Sequence, residues 1–231
     1  MAARTQISEF IGASNSAGGT SFTLPSTGTI ASIPAGSLVR FMFRYEGGTS
    51  VTVTASDDAG GTYTVRSNTA HDSPSVVVLY CHNHPGGTNV TITVSLSSSR
   101  SYREGYGEVC SGTVGELDPR TGTDGDDTDS GGPMSCTVVG VSGDCDVFMG
   151  VGSFSGSSYA GASGSTYVAD PSPATIYAGA FKQHFTGSGD KTITHTGGSG
   201  GTRGYAVAFL DDAGTGGGSA VPAILHYRAQ H

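Results

Sequence analysis

The sequence predicts an all-β protein, an antiparallel β-sandwich of the jelly-roll type with extended N- and C-terminal arms. Short segments in which apolar and polar side chains alternate are separated by glycine-rich turns, which is typical of strands with one buried face. Helices are disfavoured, because 38 of the 231 residues are glycine and glycine costs about 1 kcal/mol per helical position. No internal repeat with a period of about 20–50 residues is visible, which argues against a solenoid or a propeller.

The chain divides into three regions. Residues 1–20 are small and polar and are expected to form an N-terminal arm. Residues 21–212 hold most strand signals and are expected to form one jelly-roll β-sandwich, interrupted by a long acidic loop at residues 111–135. The segment "DDAGTGGGSA" begins at residue 211 and has the composition of a flexible linker. Residues 213–231 are therefore expected to be a Gly-rich linker followed by a C-terminal arm or edge strand.

In the first half, the clearest strand covers residues 39–45, where apolar side chains alternate with Arg40, Met42 and Arg44. We expect its apolar face to enter a core and the two arginines to stay in water. Residues 75–80 form a continuous apolar run, as expected of a strand covered on both faces. Residues 90–96 alternate strictly between apolar side chains and hydroxyl groups. With the last strand included, the predicted core contains Val39, Phe41, Phe43, Val90, Ile92, Val94 and Phe209.

Strand signals resume in the second half at residues 137–141, 146–151, 176–181, 191–194 and 205–210. Between the halves the chain is acidic: its net charge is −8, and residues 103–129 hold eight carboxylates against two arginines. Binding to nucleic acid needs a basic surface, so nucleic acid is not an expected partner. No apolar run approaches the roughly 18 residues of a membrane span, and the N-terminus shows no apolar signal segment. Neither a membrane nor conventional secretion is therefore expected.

Four segments carry a family resemblance: "IPAGSLVRFMFRYEGG", "VTVTASDDAGGTYTV", "VVVLYCHNHPGGTNVTITVSL" and "GYAVAFLDDAG". In order and spacing they resemble a Gly/Thr-rich jelly-roll domain of bacteriophage virion proteins, of the head decoration or tail-fibre type. The similarity covers residues 30–100 well and the second half loosely. It implies a fold and an assembly role on a particle surface, and no chemistry, because its residues sit mostly in turns. They are Gly36, Asp58, Gly60, Gly61, Tyr63, Gly87, Thr88 and Asn89.

The segment Cys81-His82-Asn83-His84 raises the question of a metal site. His82 and His84, two positions apart on a strand, would share a face, and imidazoles are common zinc ligands. Cys81 would then point to the opposite face, and no further ligand is evident. Pro85 and the glycines after it are typical of a turn. We therefore favour the end of a strand over a metal site, with His82 and His84 kept as the metal candidates.

Two other features allow alternatives. In "DGDDTDSGG", Asp124 and Asp126 are candidate calcium ligands because carboxylates on a flexible loop can wrap a hard cation. The EF-hand spacing fails, however, because position 6 is Asp129 where glycine is needed, so a solvated loop is favoured. Cys110 and Cys136 bracket the acidic loop and could form a disulfide; four buried thiols are the alternative.

No nucleophile or acid–base constellation stands out, so the chain is not expected to be an enzyme, and no cofactor is expected. The favoured function is a virion structural protein, a capsid decoration or cement protein on the outer surface of a bacteriophage head. Its expected partners are copies of itself, with a trimer as one possibility, and the major capsid protein. The alternative is a tail or fibre receptor-binding module that holds host glycans with exposed tyrosines, for which Tyr102, Tyr106 and Tyr159 are the candidates.

Overall fold

The computed structural model describes residues 5–15, 17–47, 51–67, 75–111, 134–157, 159–168, 176–197 and 202–211. Within these ranges the chain is all-β, with several antiparallel sheets and no helix. The described residues accordingly include no helix long and apolar enough to cross a membrane. The strands are β1 (Gln6–Asn15), β2 (Gly19–Leu24), β3 (Ile30–Ile33), β4 (Leu38–Glu46), β5 (Val53–Asp57), β6 (Thr64–Ser67), β7 (Ser75–Cys81), β8 (Gly87–Val90), β9 (Ile92–Cys110), β10 (Met134–Val141), β11 (Cys145–Ser157), β12 (Tyr159–Ala162), β13 (Thr166–Tyr167), β14 (Ile176–Phe185), β15 (Gly189–Gly197) and β16 (Arg203–Leu210).

These strands form four layers, which we number in stacking order. Sheet 1 contains β2, the first half of β9, and β5, and sheet 2 has the order β1-β9-β4-β7-β6, with the second half of β9. Sheet 3 has the order β13-β14-β11-β16, and sheet 4 has the order β10-β15-β12. A two-stranded ribbon of β3 and β8 packs with sheets 1 and 2.

Sheets 1 and 2 are continuous through β9, which bends between them. Its first residues pair with β2 and β5, and the part from Ser101 onward pairs with β4. At the bend, Tyr102 has a φ of 47°, a left-handed conformation that is uncommon for a side chain with a Cβ. The guanidinium of Arg103 donates hydrogen bonds to the carbonyl oxygens of Ala17 and Ser21. The corner is therefore tied to the chain that leads into β2.

Three hydrophobic cores separate the four layers. The first core, between sheets 1 and 2, holds the rings of Phe10, Phe22, Phe41 and Phe43. The second core, between sheets 2 and 3, includes Met42, Val78, Tyr80, Tyr106, Phe148, Val207 and Phe209. The third core, between sheets 3 and 4, includes Cys136, Val138, Val147, Met149, Phe181 and Ile193. Sheets 2 and 3 are therefore covered on both faces.

The period-two pattern located the strands and the core correctly. All seven predicted core residues are fully buried, with six in the first core and Phe209 in the second. Each strand signal of the second half lies within a strand or overlaps one: β10, β11, β14, β15 and β16. The apolar run at residues 75–80 falls in β7, whose side chains are all buried.

The expectation that Arg40 and Arg44 stay in water is wrong. Their exposed fractions are 1% and 0%, because the second face of β4 is covered by sheet 3. Arg44 donates hydrogen bonds of 2.6 Å to the carbonyl oxygens of Tyr102 and Ser153, and the latter lies in β11. The alternation in β4 is thus real, but both of its faces are interior.

The N-terminal arm expected at residues 1–20 is also wrong over the described part of that range. Residues 6–15 form β1, which pairs with β9 from Cys110 to Arg103, and β2 begins at Gly19. Phe10 is buried with its ring centroid 6.0 Å from that of Phe41. The small residues that suggested an arm instead allow close packing, since a Cβ at Gly12 would lie 2.4 Å from Leu24. The C-terminal arm lies outside the described residues.

A substitution at Gly150 can test the close approach of sheets 2 and 3. A Cβ atom at Gly150 would lie 2.5 Å from the Cβ of Met42 and 3.2 Å from Cγ1 of Val76. We therefore expect Gly150→Ala to lower the free energy of unfolding by about 1–3 kcal/mol. Gly143→Ala is the matched control, because nothing lies within 4 Å of its added Cβ. Chemical denaturation of both variants measures the difference, and equal midpoints would contradict the packing of these layers.

Candidate functional site: an ionic seam between sheets 2 and 3

Six ionisable side chains cluster where sheets 2 and 3 face each other, beside the second core. We call this cluster the ionic seam. Sheet 2 supplies two members that are opposite each other in register on β4 and β9, and sheet 3 supplies the rest. Its members are Arg40, Glu108, Asp146, Lys182, His184 and Asp211.

Arg40 is the cation at the buried end of the ionic seam, with an exposed fraction of 1%. Its Nε and Nη2 donate hydrogen bonds of 2.9 and 2.7 Å to Oε1 of Glu108, and Nη2 lies 3.6 Å from Oδ2 of Asp146. The guanidinium carbon also lies 5.3 Å from the ring centroid of Phe148 and 5.0 Å from that of Phe209. Burial alone would lower the pKa of Arg40, but Cys110, Glu108 and Asp146 outweigh it and raise the pKa. Arg40 is therefore a permanent buried cation.

Glu108 is the anion on which the cations of the ionic seam converge. Lys182 donates a hydrogen bond to its Oε2 and another to Oε1 of Gln6. Burial would raise the pKa of Glu108, but Arg40 and Lys182 hold it below its usual value. Because Lys182 lies on β14 and Arg40 on β4, Glu108 connects sheets 2 and 3 by charge-assisted hydrogen bonds, which are stronger than neutral ones.

Asp146, His184 and Asp211 form the far end of the ionic seam. Asp146 and His184 are direct cross-strand partners on β11 and β14, and Asp211 directly follows β16. Nδ1 of His184 lies 3.0 Å from Oδ1 of Asp146 and 3.9 Å from Oδ2 of Asp211. The side chains are 24%, 8% and 5% exposed, in the order His184, Asp146, Asp211. One atom from each converges within 4.8 Å, a spacing at which the three could hold a metal ion.

The metal candidates His82 and His84 do not form a pair. Strand β7 ends at Cys81, and Asn83 has a φ of 56°, so the two histidines are not on one strand face. His82 is exposed, whereas His84 is fully buried. The favoured interpretation, a strand end followed by a turn, is confirmed.

His84 instead joins two turns. The backbone N–H of Gly86 donates to its Nδ1 at 2.9 Å, so Nε2 carries the ring proton and donates to Oδ2 of Asp57 at 2.9 Å. Asp57 also accepts from the backbone N–H groups of Ala59 and Gly61 and from the hydroxyl of Tyr63. Burial would raise the pKa of Asp57, but these hydrogen bonds lower it. With every polar atom of His84 engaged, the cluster is structural.

The two cysteines proposed to form a disulfide are not brought together. All four cysteines are buried and outside any disulfide; Cys110 packs in the second core and Cys136 in the third. Sheet 3 lies between those two cores, so the structure contains no Cys110–Cys136 disulfide. Burial raises the pKa of the Cys110 thiol to about 11, which leaves it protonated and unreactive. The calcium candidates Asp124 and Asp126 lie outside the described residues.

Two of the three tyrosines proposed to bind sugars are interior. Tyr106 and Tyr159 are 2% and 5% exposed, and their hydroxyls donate to Glu104 and to Ser153. Tyr102 is partly exposed, with its ring centroid 5.5 Å from that of Tyr177. This pair is the part of the glycan hypothesis that the described residues still support.

Sequence reasoning missed the ionic seam, although a signal was present. Lys182 and His184 occupy alternate positions in "AFKQHF", and Asp146 interrupts the apolar start of β11. Charged residues at alternate positions of a strand usually indicate a solvent-facing side, so this signal was compatible with an exposed face.

Comparisons of the chain with protein-family models, with curated proteins and with solved structures find no match.

The Arg40–Glu108 pair is expected to be strongly coupled. Arg40→Met leaves Glu108 and Asp146 buried without their guanidinium partner, and removing one member of a buried ion pair costs about 3–5 kcal/mol. Arg66→Met, at a partly exposed arginine of the terminal strand β6, is the control and should cost far less. The double variant Arg40→Met/Glu108→Met should lose less stability than the sum of the single variants. Urea denaturation measures all four, and additive losses would contradict the coupling.

The Asp57–His84 hydrogen bond leads to a second prediction, which does not depend on the ionic seam. Each carboxylate oxygen of Asp57 accepts two hydrogen bonds. Asp57→Asn replaces one of these oxygens with an NH2 group, so two donors lose their acceptor whichever way the amide is oriented, and a buried donor left without an acceptor costs about 1–3 kcal/mol. His82→Gln should be neutral, because His82 is exposed. Long-range proton–nitrogen NMR of the wild type should show His84 as the neutral Nε2–H tautomer. A protonated Nδ1 in that spectrum would contradict the assigned hydrogen bonds.

Proposed function

We propose that this chain is a structural virion protein, a capsid decoration or cement protein on the outer surface of a bacteriophage head, and that it is not an enzyme. The observation that supports the proposal most is the contrast, within the described residues, between a doubly buried centre and two outer faces rich in hydroxyl groups. A protein that coats a particle has to be stiff, and it must remain soluble without displaying a large apolar surface.

The outward face of sheet 4 shows this character. Ser135 and Thr194 share a hydrogen bond of 2.8 Å between their hydroxyls, and Thr137 and Thr192 share one of 2.9 Å. These pairs lie side by side on β10 and β15, and Val139 on the same face is 52% exposed. Such a row of short side chains loses little conformational entropy when a neighbour packs on it.

The outward face of sheet 1 is similar. Its side chains alternate with those of the first core and carry hydroxyl groups, as in β9, where the buried apolar residues are separated by partly or fully exposed hydroxyl residues. The outward residues of this face include Ser21, Thr23, Thr54, Ser56, Thr93 and Ser95. Over the described residues, both outer sheets thus present faces rich in short hydroxyl side chains, which are suited to packing against other subunits.

The proposal includes the jelly-roll topology and the partners. The resemblance of residues 30–100 to a Gly/Thr-rich jelly-roll domain of phage virion proteins supports the topology, as does the antiparallel pairing of all described strands. The partners are copies of this chain in a homo-oligomer, one form of which is a trimer, and the major capsid protein. Neither nucleic acid nor a membrane is a partner. The location is the particle surface.

A tail or fibre module that binds host glycans is the second candidate, and one observation favours it. Tyr102 and Tyr177 form a partly exposed aromatic pair with ring centroids 5.5 Å apart. A partly exposed tyrosine offers an apolar ring and a polar hydroxyl, which suits contact with a sugar.

Copy number in purified particles separates these candidates. We expect quantitative mass spectrometry to find this chain in hundreds of copies per particle, in a simple ratio to the major capsid protein. A few to a few dozen copies would exclude decoration and favour the tail. Absence from particles would refute both. Light scattering of the purified chain should find an oligomer at high concentration, as expected of subunits that contact one another.

A further inference from the structure

We propose that Asp146, His184 and Asp211 bind a divalent transition-metal ion, with zinc as the best fit to their ligand chemistry. The site would be a metal centre at the edge of the ionic seam. It is independent of the proposed function, because it rests on side chains of sheet 3 and on the residue that follows β16.

The geometry of the three side chains is close to that of a metal site. Ligand atoms bound to one zinc ion at about 2.0–2.2 Å lie about 3–3.5 Å from each other. Nδ1 of His184 is 3.0 Å from Oδ1 of Asp146 and 3.9 Å from Oδ2 of Asp211. All three ligand atoms lie within 4.8 Å of one another, so the His184–Asp146 distance already fits a shared ion, and the His184–Asp211 distance would have to shorten.

The backbone holds these side chains in place. Asp146 and His184 are opposite each other in the β11–β14 ladder. The N–H of Asp211 donates to the carbonyl oxygen of Asp144 at 2.9 Å, which fixes the chain just beyond β16. Oδ2 of Asp146 also lies 3.6 Å from Nη2 of Arg40. An outer partner of this kind orients a metal-binding carboxylate.

Two carboxylates face one imidazole at this site. Oδ1 of Asp146 and Oδ2 of Asp211 lie 3.0 and 3.9 Å from Nδ1 of His184. One N–H group of the imidazole can make a strong hydrogen bond to only one of the two carboxylates, whereas a divalent ion can contact all three side chains at once.

The type of ligand selects the metal. Calcium prefers six to eight oxygen ligands, and magnesium keeps several waters, whereas an imidazole is a typical ligand of zinc and its neighbours in the first transition series. Three protein ligands from one imidazole and two carboxylates leave a fourth tetrahedral position for water. We therefore expect zinc to bind at least about tenfold more tightly than calcium.

The experiment is a calorimetric titration of the tag-free full chain, stripped with a chelator, with zinc chloride. We expect saturable binding of one zinc per chain. His184→Gln and Asp211→Asn should each weaken it at least about tenfold. His82→Gln is the matched control and should bind as the wild type does. Failure of the wild type to bind one zinc, undiminished binding by His184→Gln, or equal affinity for calcium would overturn the proposal.

A second measurement needs no variant. Cobalt(II) bound in place of zinc should give a visible spectrum typical of nitrogen and oxygen ligands, without the intense thiolate-to-metal band that a cysteine ligand produces. A thiolate band would assign binding to one of the four cysteines and overturn the proposed site. Far-UV circular dichroism of each variant shows whether a loss of zinc binding reflects loss of the fold. If a variant does not fold, the cobalt spectrum of the wild-type chain decides between the proposed site and a cysteine site.

Discussion

The guanidinium of Arg40, buried between two β-sheets, is the constraint on which the arrangement of the layers depends. A buried cation has to be matched by anions close to it. Glu108 supplies one from the same sheet, and Asp146 supplies another from sheet 3. Phe148 and Phe209, also from sheet 3, lie against the guanidinium. Separating sheets 2 and 3 would leave these charges poorly matched, so the two halves of the chain are held in one relative position.

Small residues on sheet 3 leave room for the long side chains that lie between sheets 2 and 3. Stacked sheets usually lie about 10 Å apart, and long side chains such as Arg40 and Arg44 fit between them only where the facing positions are small. Gly152 accommodates Arg44, since an added Cβ would lie 2.7 Å from its Cγ. Ala178 and Ala180 on β14 are fully buried in the same core. The high glycine content, which first suggested only turns, therefore also serves the packing of strand faces.

Two kinds of polar cluster have different consequences for function. In the Asp57–His84 cluster, each polar atom has a partner from the protein itself, so it ties two turns together and has no capacity left for a ligand. In the ionic seam, the cations converge on Glu108, and an imidazole faces two further carboxylates. A conspicuous motif such as Cys81-His82-Asn83-His84 can thus be purely structural, while residues scattered from Asp146 to Asp211 come together.

The sequence by itself determined the strand class, most strand positions and the first core, because the alternation of side chains along a strand is a local property of the backbone. It also identified the turn after β7 from Pro85 and its glycines. Only the tertiary structure decided which faces are covered: Arg44 is hydrogen-bonded to Ser153, 109 positions away, and Lys182 to Glu108, 74 positions away. A period of two separates the faces of a strand but carries no information on what packs against each. For the same reason the ionic seam, built from five separate parts of the chain, could not be predicted from spacing.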